Sequence, residues 1–408
     1  MKLLLLLTHS FPYDSGEEFL TEELAYAAGF DRIVVFPCCL TERSVRTKSL
    51  PEGAECFPFV RTPLGRKARV RLAADPPVLR EIAGMVRAGR FSAGRVHELF
   101  YFWKNAAEIY RGLKTIPELA RADEILIYSY WFYDAAAAGA MLADDLKSRG
   151  VHVRQISRAH GFDIHAERRK YGYLPMRGYL FSKEDQLFPC SEDGAAALRA
   201  QSPESAGKIR AEYLGTRDCG VKYGGRKEFH VVSCSYMVEV KRLHLIVQAL
   251  KNADFPVRWT HIGTGPLREQ LLAAAASLPP NVTAEFPGGM ENAAVMKYYA
   301  SQEVSAFLNV SSSEGISVSI MEACSFGIPV VATDVGGTGE IVSDGENGYL
   351  LPADFCPERL LEKLRLLSGM EEKPYMRLCE NSRGVWEKKF NAARNYRAFY
   401  ERIGGILP

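Results

Sequence analysis

Short apolar runs alternate with helical patterns along almost the whole chain, and this alternation constrains the fold more than any single residue. Apolar runs too short for a helix, bounded by turn residues and separated by helical stretches, read as parallel strands joined by crossover helices. In the first half the strand candidates are residues 3–7, 32–36, 125–129, 151–156 and 187–190, with helices such as 17–28 and 134–147 between them. The stretch 41–119 is less regular and reads as helical insertions. In the second half, residues 229–234, 257–262, 282–286, 306–309, 329–332 and 349–351 read as strands of a second doubly wound sheet. The fold class is therefore α/β.

A chain of 408 residues is long enough for two cores. The stretch GTRDCGVKYGGRKEF, residues 215–229, is rich in glycine and charge and lacks periodicity, so it reads as the linker. The expected division is a first domain over 1–215, a second over 216–385, and a C-terminal helix over 386–408. The apolar spacing of Trp386, Phe390, Tyr396, Phe399 and Ile403 fits that helix packing back on the first domain. A hinge between two domains makes a cleft, the usual place for a ligand.

Composition excludes several classes. Lys plus Arg (51) nearly cancels Asp plus Glu (49), which argues against a nucleic-acid binder. Nine scattered cysteines with no C-x-x-C argue against a disulfide framework or zinc ribbon, and point to a reduced, cytoplasmic compartment. The opening MKLLLLLTHSFP has an apolar run too short for a signal peptide core and reads as a buried strand. Residues 61–95 are dominated by Arg and Lys, with Asp75 and Glu81 the only acids. Such a segment is either a solvated helical face or a surface that meets anionic lipid or a pyrophosphate-linked acceptor.

The chemistry concentrates in SSSEGISVSIMEACSFGIPVVATDVGG, residues 311–337. A Ser- and Gly-rich turn between a strand and a helix leaves amides and the positive end of a helix dipole facing outward, which suits a phosphate. Plain N-capping by Ser312 or Ser313 fits the same residues. Glu314 at the helix start and Glu322 about two turns on would lie roughly 12 Å apart on one side. That distance matches the length of a nucleoside diphosphate sugar. A solvent-facing glutamate on an ordinary helix is the plainer alternative. The run HIGTGPLREQL fails the dinucleotide fingerprint G-x-G-x-x-G because Arg268 occupies the third glycine position.

The segment from Ser313 to Glu340, S-E-G-x-x-x-S-x-x-E-A-x-x-x-G-x-P-V-V-A-T-x-V-G-G-x-x-E, closely resembles the donor-site signature of the retaining GT-B glycosyltransferases of glycosyltransferase family four. Within that family the chain looks most like enzymes that extend bacterial exopolysaccharide, colanic-acid-type and O-antigen chains. The resemblance implies a GT-B fold, two Rossmann-like domains facing a cleft. It implies that Glu314 meets hydroxyls of the donor sugar, that Glu322 accepts from the ribose, and that the amides around Gly315, Ile316 and Ser317 meet the diphosphate. Lys241 matches the family lysine that pairs with the diphosphate. The family often carries an arginine five positions before it, where this chain has Tyr236; neighbouring Arg242 is the candidate substitute. Gly263 and Gly265 match the turn that lines the nucleotide site, and Met290 follows the loop that holds the base. In the first domain His160 follows a strand, where a lone histidine is commonly a cap; the resemblance makes it the group that approaches the donor sugar. Gly16 matches the family's glycine-bearing loop.

The implied activity is metal-independent transfer of a hexose-type sugar, with retention, from a UDP- or GDP-linked donor to a glycan or polyprenyl-pyrophosphate-linked acceptor. No cofactor beyond the donor substrate and no metal site is expected. The competing readings are a sugar-nucleotide epimerase of the same fold and a nucleotide-sugar-binding protein without turnover.

Overall fold

The computed structural model describes residues 1–223 and 227–407. Residues 224–226, inside the expected linker, lie outside the described residues. The chain divides into two units, Met1–Glu212 with Tyr396–Pro408, and Tyr213–Asn395.

The first unit holds six parallel strands: β1 (Lys2–Thr8), β2 (Arg32–Pro37), β3 (Ala54–Cys56), β4 (Glu124–Ser129), β5 (His152–Ala159) and β6 (Gln186–Pro189), in the order β3-β2-β1-β4-β5-β6. The leucine run forms the central strand, and its side chains alternate between faces as a strand requires. Leu3, Leu5 and Leu7 enter one core with Phe102, Ile109 and Leu142, while Leu4 and Leu6 enter the other with Leu20, Tyr128 and Phe399. Burial on both faces explains why the strand reads as one apolar run. The sequence reading missed β3, a three-residue edge strand too short to leave a period. The helix expected over 17–28 is only Phe19–Leu24. Glu17 ahead of it is held at a positive φ of 53° instead of entering the helix.

The second unit holds β7 (His230–Cys234), β8 (Val257–Ile262), β9 (Val282–Gly288), β10 (Ala306–Asn309), β11 (Val330–Thr333) and β12 (Gly348–Leu351), again all parallel. Their order, β12-β11-β10-β7-β8-β9, read from the other edge is the same winding as in the first unit. In each unit the chain reverses its direction of winding beside the first strand, between β1 and β4 and between β7 and β10. Such switch points are where open α/β sheets leave a crevice at the strands' carboxyl ends.

The C-terminal segment is not one helix. A helix over Glu372–Lys389 stops at Phe390, and a second runs over Ala392–Gly404. The break has a tertiary cause: the Thr216 N–H donates to the Phe390 carbonyl, and Ala392 donates to Thr216. A Cβ on Gly215 would sit 2.4 Å from the Cα of Ala392, so only glycine permits that approach. Trp386 and Phe390 therefore belong to the second unit, while Tyr396, Phe399 and Ile403 pack in the first. The early part of the expected linker is likewise tied down, Thr216 to Trp386 and Asp218 to Arg383. Among the described residues no helix is long and apolar enough to cross a membrane.

Candidate active site

In the second unit the loops after β7 and β10 flank the switch point, and this brings Lys241 to Glu314 across 73 residues of sequence. The Lys241 Nζ donates to Glu314 Oε1 at 2.7 Å. Both side chains are largely covered, 23% and 10% exposed. The backbone joins the two loops as well: the Ser312 N–H donates to the Val240 carbonyl at 2.8 Å. Asn309, at the end of β10, organises the second loop. Its Nδ2 donates to Glu314 Oε1 at 3.1 Å and to Ser317 Oγ at 3.0 Å, while its Oδ1 accepts from the Ser311 N–H. Sequence reading passed over Asn309; a polar residue closing an apolar strand was the available signal.

The helix begins later than expected, at Val318 with Ser317 as its N-cap, and neither Ser312 nor Ser313 caps it. Glu314 thus sits in the loop, and a helical rise cannot measure its distance from Glu322. Ser317 makes no side-chain cap bond; its hydroxyl instead accepts from Asn309. The positive end of the helix dipole is left without a side-chain cap beside a carboxylate and an ammonium. Gly315 and the half-turn after it are held from below: the Gly337 N–H donates to the Gly315 carbonyl at 2.7 Å. Gly336 has a φ of 53°, and a Cβ there would stand 2.1 Å from the Glu314 carbonyl oxygen. The paired glycines of the motif therefore let two loops touch. Ile316 is buried beneath the turn.

Arg242 does not supply the missing cation. At a left-handed φ of 47° its guanidinium turns inward. It donates to the carbonyls of Val310, Ala353 and Ser311 and to Thr333 Oγ1, and it lies over the Phe355 ring. Four anchored donors fix it as a strut between the ends of β10, β11 and β12. Tyr236, at the position where an arginine was sought, is 58% exposed.

Glu322 is buried inside the helix and accepts from Asn292 Nδ2 at 2.5 Å. Burial pushes its carboxyl up to about 7, with the Asn292 bond opposing. A buried carboxyl with one neutral donor is poised to take further hydroxyl donors. Gly263 and Gly265 stand where the loop after β8 crosses the loop after β7. A Cβ on Gly263 would meet the Ser235 carbonyl oxygen at 1.9 Å, and one on Gly265 the Met237 carbonyl at 2.6 Å. His261 fastens the same crossing, with its ring against Ser233 Oγ and the Ser235 carbonyl. Met290 is half-buried just beyond β9.

The first unit's residues are arranged differently. His160 is the N-cap of the Gly161–Ile164 turn and forms a capping box with Asp163. Its Nε2 lies 3.1 Å from the Tyr130 carbonyl, so that nitrogen carries the proton. The ring sits among Phe19, Tyr130 and Trp131. Burial and the Arg158 charge push its pKa down to about 3. The imidazole is thus neutral, with Nε2 engaged by the Tyr130 carbonyl and the residue placed as a helix cap. Gly16 has a φ of 96° with open space around its Cα. The residue missed beside it is Glu17, whose carboxylate accepts from the N–H groups of His9, Ser10 and Phe11 and from Trp131 Nε1.

The two sheets with this winding define a protein of the GT-B class, and the switch-point cluster lies in a recognisable domain of it. Residues 224–385 match the family model described as "Glycosyl transferases group 1". Among curated proteins it is 29% identical to the putative colanic acid biosynthesis glycosyltransferase WcaL of Salmonella typhimurium over 221 residues, 51% of this chain and 54% of the relative. It is 25% identical to the amylovoran biosynthesis glycosyltransferase AmsK of Erwinia amylovora over 277 residues, 65% of this chain and 67% of the relative. The matched region thus spans a little over half of WcaL. Among solved structures, HepE of Anabaena in complex with UDP-glucose superposes with a TM-score of 0.67 at 16% identity, covering 99% of this chain and 100% of HepE. Sucrose-phosphate synthase of Thermosynechococcus elongatus superposes with a TM-score of 0.71 at 16% identity, covering 99% of both. At that identity the likeness shows the fold.

Proposed function

We propose that this protein is a retaining glycosyltransferase that moves a hexose-type sugar from a UDP- or GDP-linked donor to a glycan or polyprenyl-pyrophosphate-linked acceptor in bacterial surface polysaccharide synthesis. The observation that carries the reading is the Lys241–Glu314 contact at the switch point of the group 1 domain, beside a helix start with no side-chain cap. On donor binding Lys241 exchanges Glu314 for the diphosphate. Glu314 is then released to accept from sugar hydroxyls. The amides from Gly315 to Ser317 and the helix dipole face the phosphates. Glu322 accepts from the ribose, Gly263 and Gly265 shape the turn beneath the nucleotide, and Met290 borders the base.

The bond that breaks joins the anomeric carbon to the diphosphate oxygen, and negative charge grows on the leaving group. Lys241 and the helix start offer positive charge where it develops, so the chemistry proposed here needs no metal ion. The acceptor hydroxyl attacks from the same face and its proton passes to the departing phosphate, which gives retention. His160 holds the loop ahead of Gly161 and takes no proton. Gly16 borders the acceptor side. The basic segment 61–95 rests against the inner face of the membrane, which keeps the protein cytoplasmic and near a lipid-linked acceptor.

A panel of UDP- and GDP-sugars in thermal-shift assays should raise the melting temperature with at least one donor, because a ligand of the folded state stabilises it. Product NMR should then show the donor's anomeric configuration, and excess chelator should leave the rate unchanged. An inverted product would overturn the mechanism, and loss of rate in chelator would overturn the metal independence. The second reading is a binding protein without turnover, favoured by the single lysine at the site and by Arg242's engagement elsewhere. Tight donor binding with no transfer across an acceptor panel would select it.

A further inference from the structure

The helix Pro76–Arg87 is apolar on more of its surface than its own core uses. Val78 and Met85 are buried and Ile82 packs against the same core. One residue on, Leu79, Ala83 and Val86 repeat that spacing on the outer side, and Leu79 and Val86 are each more than half exposed. Phe91, just past the helix, is 57% exposed. A single exposed leucine needs no explanation, but an apolar row at helical spacing does. Arg80 and Arg87 form a parallel row about 100° round the helix, one residue on from Leu79 and Val86. The neighbouring helix Arg66–Ala73 adds Arg66, Lys67, Arg69 and Arg71 around the exposed Val70.

The segment's two acids keep their charge but are drawn toward the body of the unit by its side chains. Asp75 accepts from Trp103 Nε1 at 2.8 Å, and Glu81 accepts from the Tyr173 hydroxyl at 2.7 Å. What remains outward is apolar side chains interleaved with cations, the pattern of a helix that lies in a bilayer interface with arginine stems snorkelling to the headgroups.

We infer that the outer face of Pro76–Arg87 docks on an anionic lipid surface, Leu79, Val86 and Phe91 entering the headgroup boundary while Arg80 and Arg87 meet lipid phosphates. This rests on the peripheral placement proposed above and adds insertion to it. The donor chemistry is separate, so vesicle binding and sugar transfer can fail independently.

The test is sedimentation of the full chain with large vesicles of phosphatidylcholine alone or mixed equally with phosphatidylglycerol, at low and at high salt. The wild type should bind the anionic vesicles at least tenfold better than the neutral ones. Arg80→Glu with Arg87→Glu should weaken that binding about 25-fold or more and flatten its salt dependence, since each cation near the surface contributes about fivefold. Leu79→Asp with Val86→Asp should weaken it by a similar factor, with the melting temperature unchanged because both sites are exposed. A wild type that ignores anionic vesicles would overturn both the placement and the insertion. If the Leu79/Val86 variant binds as tightly as wild type, insertion alone is overturned and the contact is purely electrostatic.

Discussion

The two sheets share one winding, and each switch point is bridged by a glutamate, yet the bridges are built differently. After β1, Glu17 accepts four N–H donors, three from its own loop and one from Trp131, which follows β4. After β10, Glu314 meets Lys241, which follows β7, and Asn309. The first carboxylate is saturated by fixed donors and locks its loop. The second meets a lysine ammonium and a side-chain amide, neither of them a backbone group of its own loop. Identical topology thus supplies a backbone staple in one unit and a side-chain ion pair in the other, and the partner's chemistry makes the difference.

Backbone approach is the sharpest break between the two. Gly263→Ala should destabilise the second unit by about 3–5 kcal/mol, because its Cβ would overlap the Ser235 carbonyl oxygen. Gly16→Ala has open space and should cost only about 1–2 kcal/mol, the penalty of a left-handed backbone. Denaturant unfolding of both variants checks this, and equal losses would erase the contrast.

Glu322 gives the next largest effect. With its folded pKa raised to about 7, the folded protein binds more protons than the unfolded chain between roughly pH 4.5 and 7. Wild-type stability therefore falls as pH rises through that window, by up to about 3 kcal/mol. Glu322→Gln lacks the slope, so melting temperatures measured at pH 5 and pH 8 should move in the variant's favour at the higher pH. Donor affinity should move oppositely, strengthening with pH in the wild type as the carboxylate forms.

Lys241→Ala should lower turnover about hundredfold, the usual loss of one preorganised positive group, with a smaller change in donor KM. Steady-state kinetics across donor concentration separates the two. The smallest effect belongs to the first unit: His160→Gln should leave the shape of the pH–rate profile between pH 5 and 8 unchanged. A ring whose pKa lies near 3 does not titrate there, and a shifted limb would show that His160 carries a proton during the reaction.

Much of this was legible in the sequence. The leucine run announced a strand buried on both faces, and the Ser- and Gly-rich stretch around Glu314 announced a strand-to-helix turn, although its helix starts later than the spacing suggested. What stayed hidden is physically intelligible. A three-residue edge strand such as β3 leaves no period. The halt at Phe390 lies in bonds to Thr216, on the far side of the second unit's sequence, and local propensity across residues 386–403 contains no sign of it. The inward turn of Arg242 depends on three carbonyls contributed by two other loops.

The sequence by itself determined the α/β class, the strand alternation and the motif in the loop after β10, because those depend on neighbours a few residues apart. Only the tertiary structure decided which charges meet. The switch point set Lys241 against Glu314, burial raised the Glu322 carboxyl, and burial with the Arg158 charge kept His160 neutral. Proximity and desolvation set such interactions, and both are properties of the packed chain, not of its order.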